Sequence, residues 1–270
     1  MNPLPHDMST HENPSRPLRV TILQTDIEWQ APSANLARLT RLLHEAPKSD
    51  LYLLPEMFAT GFCMNPEVPG VSDAAADTFR WMQHEAEELD SAIAGSLPVK
   101  TDGLCHNRFA FVTPESTTTY DKRHLFTYGG EKRAYTEGRE RVVVSFRGVR
   151  FLLQVCYDLR FPVFSRNRAD YDAILYVANW PTSRIDVWDI LLRARAIENQ
   201  CYVLASNRIG SDPACTYPGH SQAVDAYGRV AAACEEGRES FVSLSLDMER
   251  LAAFREKFPV LSDGDKFNLL

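Results

Sequence analysis

The feature that most constrains this chain is its succession of short apolar runs. LRVTILQ, LYLL, SAIAGSLPV, VRFLLQV, AILYVA, YVLAS and SFVSLSLD are each bounded by polar or turn-forming residues. Runs of this length, rich in Val, Ile, Leu and aromatic residues, suit buried strands. What separates them changes along the chain. Early segments are helical: 35–46 places Leu36, Leu39, Leu42 and Leu43 at helical spacing before Pro47, and 74–89 is a second amphipathic stretch. Further helices are expected at 161–170, 185–200 and 248–258. Elsewhere runs pair as hairpins, one turned by Pro114, Glu115 and Ser116 and another by Tyr227 and Gly228. The pattern predicts an α/β fold, a mixed sheet system with helices outside.

No repeat, linker or composition break interrupts 18–270, so that range is expected to be a single domain, a size one α/β core can reach. Residues 1–17 have the Pro, Asn, His and Ser content of a disordered tail, without the basic start and apolar stretch of a secretory signal. The formal charge of −7 argues against nucleic acid and anionic membranes, which both favour basic surfaces. No apolar run approaches the ~20 residues that span a bilayer. A cytoplasmic protein is expected. The six cysteines form no CxxC pair, and no histidines sit at zinc-finger spacing. Reduced thiols, mostly filling core space, are the expectation.

Cys156 stands apart from the other five. It ends a strongly apolar run (Phe151, Leu152, Leu153, Val155), and polar residues follow at once in YDLR. A thiol at a strand-to-helix junction is presented at the sheet rim, next to backbone N–H groups free to stabilise an oxyanion. A core cysteine at a strand end fits the same pattern. A cysteine nucleophile also needs a base and a positive neighbour. His44 and His84 fall on amphipathic helices as solvated positions; His106, His124 and His220 stay open, with no local pattern marking a base. Glu56 closes the apolar run LYLLP, where burial would raise its pKa as suits a general base; a strand-end glutamate turned to solvent is the plain alternative. Lys122 follows TTTYD, where it is either an oxyanion donor or part of a solvated basic turn with Arg123 and His124.

A glutamate, a lysine and a cysteine at strand ends, in that chain order, resemble the nitrilase superfamily of carbon–nitrogen hydrolases. LLPEMFATGF around Glu56, YDKRHLF around Lys122 and QVCYDLRFP around Cys156 carry the resemblance, with ANWP at Ala178–Pro181, RAIENQCYV at Arg195–Val203 and GHSQAVDAYGRV at Gly219–Val230. The resemblance implies a four-layer α-β-β-α sandwich, with Cys156 as nucleophile, Glu56 as general base, Lys122 as oxyanion donor and the Tyr157 N–H as a second donor. A further family glutamate, placed before a glycine in the loop after the lysine, matches Glu131 better than Glu137. It implies neither metal nor organic cofactor, and a homodimer paired through helices 161–170 and 185–200 with PVLSDGDKFNLL across the interface.

The wording LPEMFATGF, YDKRHLF and ANWP most resembles the omega-amidase branch, which releases ammonia from 2-oxo acid monoamides. Such substrates carry a carboxylate, so a cation is expected in the pocket. Arg184 is the favoured candidate, while Arg160 and Arg195 are expected in structural ion pairs with neighbours such as Asp158 and Glu198. Phe62, Tyr128 and Trp180 are candidate walls. His220 departs from the aspartate common at its position in this branch. Other hydrolases of the superfamily, acting on nitriles, N-carbamoyl amides or aliphatic amides, share the triad. A non-catalytic scaffold would have no need to keep all three residues.

Overall fold

The computed structural model describes residues 17–269. The expected tail therefore lies outside the described residues except for Pro17. The first half of the chain runs β1 (Leu18–Gln24), α1 (Pro32–Glu45), β2 (Leu51–Leu53), α2 (Ala75–Leu89), β3 (Ala92–Thr101), β4 (Leu104–Val112) and β5 (Thr117–Asp121). A short helix α3 (Glu131–Ala134) leads to β6 (Val143–Phe146), β7 (Val149–Val155), α4 (Pro162–Ser165), β8 (Ala173–Ala178), α5 (Ile185–Asn199) and β9 (Tyr202–Asn207). Small hairpins follow, β10 (Ile209–Ser211) with β11 (Thr216–Pro218) and β12 (Gln222–Val224) with β13 (Val230–Ala233), before β14 (Ser240–Leu246) and α6 (Met248–Lys257).

Two six-stranded sheets result, ordered β14-β1-β2-β3-β4-β5 and β13-β12-β9-β8-β7-β6. Strands β1 to β3 run parallel in the first, as do β7 to β9 in the second. Alternation along each strand divides the residues between two faces. Ile22, Leu53, Phe109 and Phe111 of the first sheet meet Leu153, Val155, Leu175 and Val177 of the second in a common inner core. The opposite faces take the helices. Leu39 and Leu43 of α1 and Met82 and Ala86 of α2 pack on Tyr52 and Ile93. Trp188, Leu192 and Ala196 of α5 pack on Ile174, Tyr176 and Val203. This is the four-layer α-β-β-α sandwich that the resemblance implies.

The helix expected over 161–170 is only the four-residue α4. Beyond it, Asn167 Oδ1 accepts from Asp170 N and Asp170 Oδ1 accepts from Arg168 N, side-chain bonds that compete with helix continuation. The run YVLASNRIG is likewise not one strand. It breaks at Arg208, whose fully buried guanidinium bonds Asp26 Oδ1 at 2.8 Å and Ile27 O at 2.9 Å. The C-terminal segment docks on its own chain through Phe267, whose ring lies 5.0 Å from the Arg168 guanidinium.

Candidate active site

Parallel strands present their C-terminal ends at one rim, and the loops leaving that rim are where sites form in such sheets. Glu56 lies three residues past β2, Lys122 directly follows β5, Cys156 follows β7 and Asn179 follows β8. The first two belong to one sheet and the last two to the other, so the site lies across the sandwich. Glu131 arrives from the loop after β5, where Gly130 at φ +82° makes the turn that begins α3. The expected functional loop therefore has local structure: a 3₁₀ turn at Thr127–Gly129 and then α3.

Glu56, Lys122 and Glu131 are fully buried. Lys122 Nζ donates to Glu56 Oε1 at 3.0 Å and to Glu131 Oε1 and Oε2 at 3.0 and 2.9 Å. Glu131 Oε2 also accepts from Phe126 N at 2.6 Å. Glu137, the alternative second glutamate, is exposed. Two asparagines complete the cluster. Asn107 Nδ2 donates to Glu56 Oε1 and Glu131 Oε1, and Asn179 donates to Glu56 Oε2 through its backbone N at 2.8 Å and its Nδ2 at 3.2 Å.

The charges of the cluster follow from burial and neighbours. Burial alone would discharge Lys122, but the Glu131 and Glu56 carboxylates outweigh it and hold the ammonium well above its ordinary range. Burial pushes the Glu131 carboxyl up against the pull of Lys122, with the Glu56 charge adding to burial. Burial also pushes the Cys156 thiol up, Glu56 adding and Lys122 opposing. The resting group is thus a thiol beside a carboxylate cluster, partly buried and open to a cavity. Cys156 itself has φ +46°, a strained position for a residue with a Cβ. Tyr157 sits in the first turn of a 3₁₀ helix, Cys156–Arg160, where backbone N–H groups lack intrahelical acceptors. The three histidines left open are engaged elsewhere: His106 with Thr136 O, His124 with Asp158 and His220 with Asp189.

A cavity of about 540 Å³ opens over Cys156. Its walls are largely aromatic: Phe62, Trp180, Trp29, Phe126, Tyr157 and Tyr217. Tyr128 stands at the rim, 89% exposed. Arg184 lines the cavity, its guanidinium 5.3 Å from the Phe126 ring. Arg195 is in the expected structural pairing, to Glu198 Oε1 at 2.9 Å and Leu159 O at 2.6 Å. Arg160 is not. The Asp158 carboxylate is occupied by Val155 N, Tyr120 OH and both donors of His124, and Arg160 lies in the cavity wall 5.2 Å from the Trp180 ring. Among the described residues neither Arg160 nor Arg184 has an ion-pair partner. Asp212, the cavity's carboxylate, is taken by Ala214 N, Cys215 N and Tyr217 OH. No cluster of three or more His, Cys, Asp or Glu among the described residues could hold a metal ion.

The family model described as carbon-nitrogen hydrolase matches residues 19–256. The chain belongs to the carbon-nitrogen hydrolase family. It is an enzyme of that family, an amidase. It is 46% identical to the omega-amidase YafV of Yersinia enterocolitica, over 94% of this chain and 99% of that one. It is 33% identical to the 2-oxoglutaramate amidase of Bacillus subtilis, over 90% of this chain and 96% of that one. Among solved structures, a CN-hydrolase superfamily protein of Xanthomonas campestris with an arsenic adduct in its active site superposes with a TM-score of 0.90 at 40% identity, covering 94% of this chain and 99% of that one.

Proposed function

We propose that this amidase hydrolyses the terminal carboxamide of small 2-oxo acid monoamides, such as 2-oxoglutaramate and 2-oxosuccinamate, through a thioester on Cys156. The observation that carries this reading is that one aromatic cavity contains a thiol beside Glu56 and Lys122 and two guanidiniums without carboxylate partners. The names of the relatives, omega-amidase and 2-oxoglutaramate amidase, support the same substrate class.

In this scheme Glu56 takes the thiol proton as Cys156 Sγ bonds to the amide carbon, and the carbonyl electron pair moves onto oxygen. Lys122 and the Tyr157 N–H hold that oxyanion, each such donor worth about 3 kcal/mol in comparable sites. Collapse breaks the carbon–nitrogen bond, and Glu56 returns its proton so that nitrogen leaves as ammonia. Glu56 then deprotonates a water that adds to the thioester; collapse frees the acid and restores the thiol. Glu131 keeps Lys122 in place. Arg160 and Arg184 grip the substrate carboxylate, with Phe62 and Trp180 as walls and Tyr128 at the entrance. The scheme calls for no metal or organic cofactor. A homodimer is part of the proposal, as is a cytoplasmic location; the six free thiols suit a reducing compartment. No helix among the described residues is long and apolar enough to cross a membrane.

The test is ammonia release from 2-oxoglutaramate and 2-oxosuccinamate by the purified protein, with Cys156→Ala alongside. Release that vanishes in the variant supports substrate and nucleophile together. No release from either, with turnover of a nitrile or an N-carbamoyl amide instead, would sink the substrate assignment. Light scattering tests the dimer, and a fully active monomer overturns it.

A further inference from the structure

Asn107 has no role in the scheme above, yet it touches both carboxylates of the cluster. It lies on β4 in alternation with Cys105, Phe109 and Phe111, which places it on the buried face of that strand. Its carbonyl accepts from Lys122 N at 3.0 Å, one step beyond the last paired residues of the β4–β5 hairpin, Arg108 and Asp121. Register alone therefore sets Asn107 across from Lys122. Its Nδ2 donates to Glu56 Oε1 at 2.8 Å and to Glu131 Oε1 at 3.0 Å, one N–H for each. Its Oδ1 is buried without a hydrogen-bond partner. Turning the amide over would satisfy nothing and set Oδ1 against two carboxylates, so the orientation follows from the neighbours.

We propose that Asn107 is a positioning residue that lets Glu56 and Glu131 stay ionised side by side, as the shared neutral donor that a cluster of two carboxylates and one ammonium lacks. The proposal rests on the reading of Glu56 as general base. The charged and titratable groups facing the site are Glu56, Glu131, Lys122, the Cys156 thiol and the buried Tyr135 phenol, which donates to Cys63 O; the Asn179 amide and the Phe126 N–H are the neutral donors. Two carboxylates sharing a site resist double ionisation, and in a site this buried a lost donor is not replaced by bulk water. Without the Asn107 amide the pair binds a proton at a higher pH. A protonated Glu56 cannot accept the thiol proton, so the effect falls on kcat and on the acid side of the rate profile, not on substrate affinity.

The experiment compares kcat and KM across pH for the wild-type enzyme, Asn107→Leu and Asn107→Asp. Asn107→Leu is close in size without the donor, and Asn107→Asp keeps the shape while adding a third carboxyl. For Asn107→Leu the expected result is a kcat about 10- to 100-fold lower at neutral pH, with KM nearly unchanged. Its acid limb moves up by about one pH unit. Asn107→Asp moves the acid limb the same way, and it decides the matter if the leucine variant gives no cooperative melt. The pH dependence of Cys156 alkylation by iodoacetamide should shift in parallel, and it needs no turnover. An enzyme inactive on these amides would therefore refute the substrate reading while still testing Asn107. Acid limbs and alkylation profiles that superpose on the wild type, with only a lower melting temperature, would make Asn107 merely structural and overturn the proposal.

Discussion

Glu131 grips Lys122 with both carboxylate oxygens, at 2.9 and 3.0 Å, and both side chains are fully buried. Lys122 Nζ also donates to Glu56, so Glu131 leaves the ammonium little freedom to leave its position beside Cys156. Glu131→Gln keeps the size and removes the charge. Since Lys122 Nζ donates to both oxygens, either orientation of the new amide turns a donor toward it, and toward the Phe126 N–H or the Asn107 Nδ2 as well. The expected result is a kcat about 100-fold lower, as when an oxyanion donor is lost. Breaking a buried pair from one side should also destabilise the fold by about 3–5 kcal/mol. Steady-state ammonia release and a thermal melt read the two effects. A wild-type kcat would remove Glu131 from the machinery.

The unpaired guanidiniums of the cavity predict selectivity by charge. Arg160→Met and Arg184→Met each keep apolar volume against the Trp180 and Phe126 rings and remove the cation. Each should raise KM for 2-oxoglutaramate about 10-fold, the order of one charge-assisted hydrogen bond, and leave a neutral aliphatic amide unaffected. Equal losses on both amides would show that the arginines shape the cavity without reading charge.

The sandwich was legible because strands buried on both faces read as apolar runs, and the two central parallel sets, β1 to β3 and β7 to β9, are of that kind. The half-exposed edge strand β6 lacks such contrast, and β10 and β11 are three residues each, too short to show a period. The ends of central runs pointed to Glu56 and Cys156 as candidates, since a charge or thiol closing an apolar run needs explaining, whereas Lys122, after the polar edge strand β5, was marked by the basic run it begins and by YDKRHLF. Arg160 was misjudged because proximity in sequence suggested Asp158 as its partner, and only the fold shows that carboxylate filled by four donors. Asn107 carried a signal that was not used: its parity with Phe109 and Phe111 marks a polar residue at a core position. Trp29 and Tyr217 reach the cavity from segments distant in sequence, and nothing local indicates that they meet.

Buried titratable groups fix the pH range of stability. Burial holds the Tyr120, Tyr171 and Cys201 protons above their ordinary ranges. The unfolded chain releases them from about pH 9 for the thiol and about pH 10 for the phenols. Above that point the folded state binds more protons, so stability is present in full below about pH 9 and falls as pH rises. Asp172 works in the other direction. Burial pushes its carboxyl up, but the Arg150 hydrogen bond and the charges of Arg150 and Arg255 outweigh that and hold it low. Its contribution is present above the ordinary range near pH 4 and is lost as pH falls below it. A melting-temperature profile should therefore decline above about pH 9 and below about pH 4. Cys201→Ala should flatten the alkaline slope, whatever it does to the plateau; an unchanged slope would dismiss the thiol as a contributor.

Because the catalytic candidates come from two sheets, their spacing depends on what pins one sheet to the other next to the site, and Asp158 does this. Its Oδ2 accepts from Val155 N at 2.9 Å and Tyr120 OH at 2.8 Å, and its Oδ1 accepts from His124 N at 3.0 Å and Nδ1 at 2.8 Å. Val155 adjoins the nucleophile, while Tyr120 and His124 flank Lys122, so one buried carboxylate joins the two segments. It also holds the turn that keeps Cys156 at φ +46°, a conformation that costs a non-glycine residue about 1–2 kcal/mol. Asp158→Asn preserves the shape but turns an acceptor into a donor, and each of the four present bonds brings a donor to that group. At least one pair must separate. The expected result is a loss of about 2–3 kcal/mol in stability, the scale for hydrogen bonds to a charged group. Displacing the turn should also lower kcat about 10- to 100-fold, since small misplacements of reacting groups are costly in rate. His124→Phe keeps the stack on Phe161, now 3.8 Å between ring centroids, and loses a single side-chain bond, so its effect should be several-fold smaller. Chemical denaturation and steady-state rates measured on both variants decide it. An Asp158→Asn enzyme with wild-type stability and kcat would mean that the two sheets hold their spacing without this carboxylate.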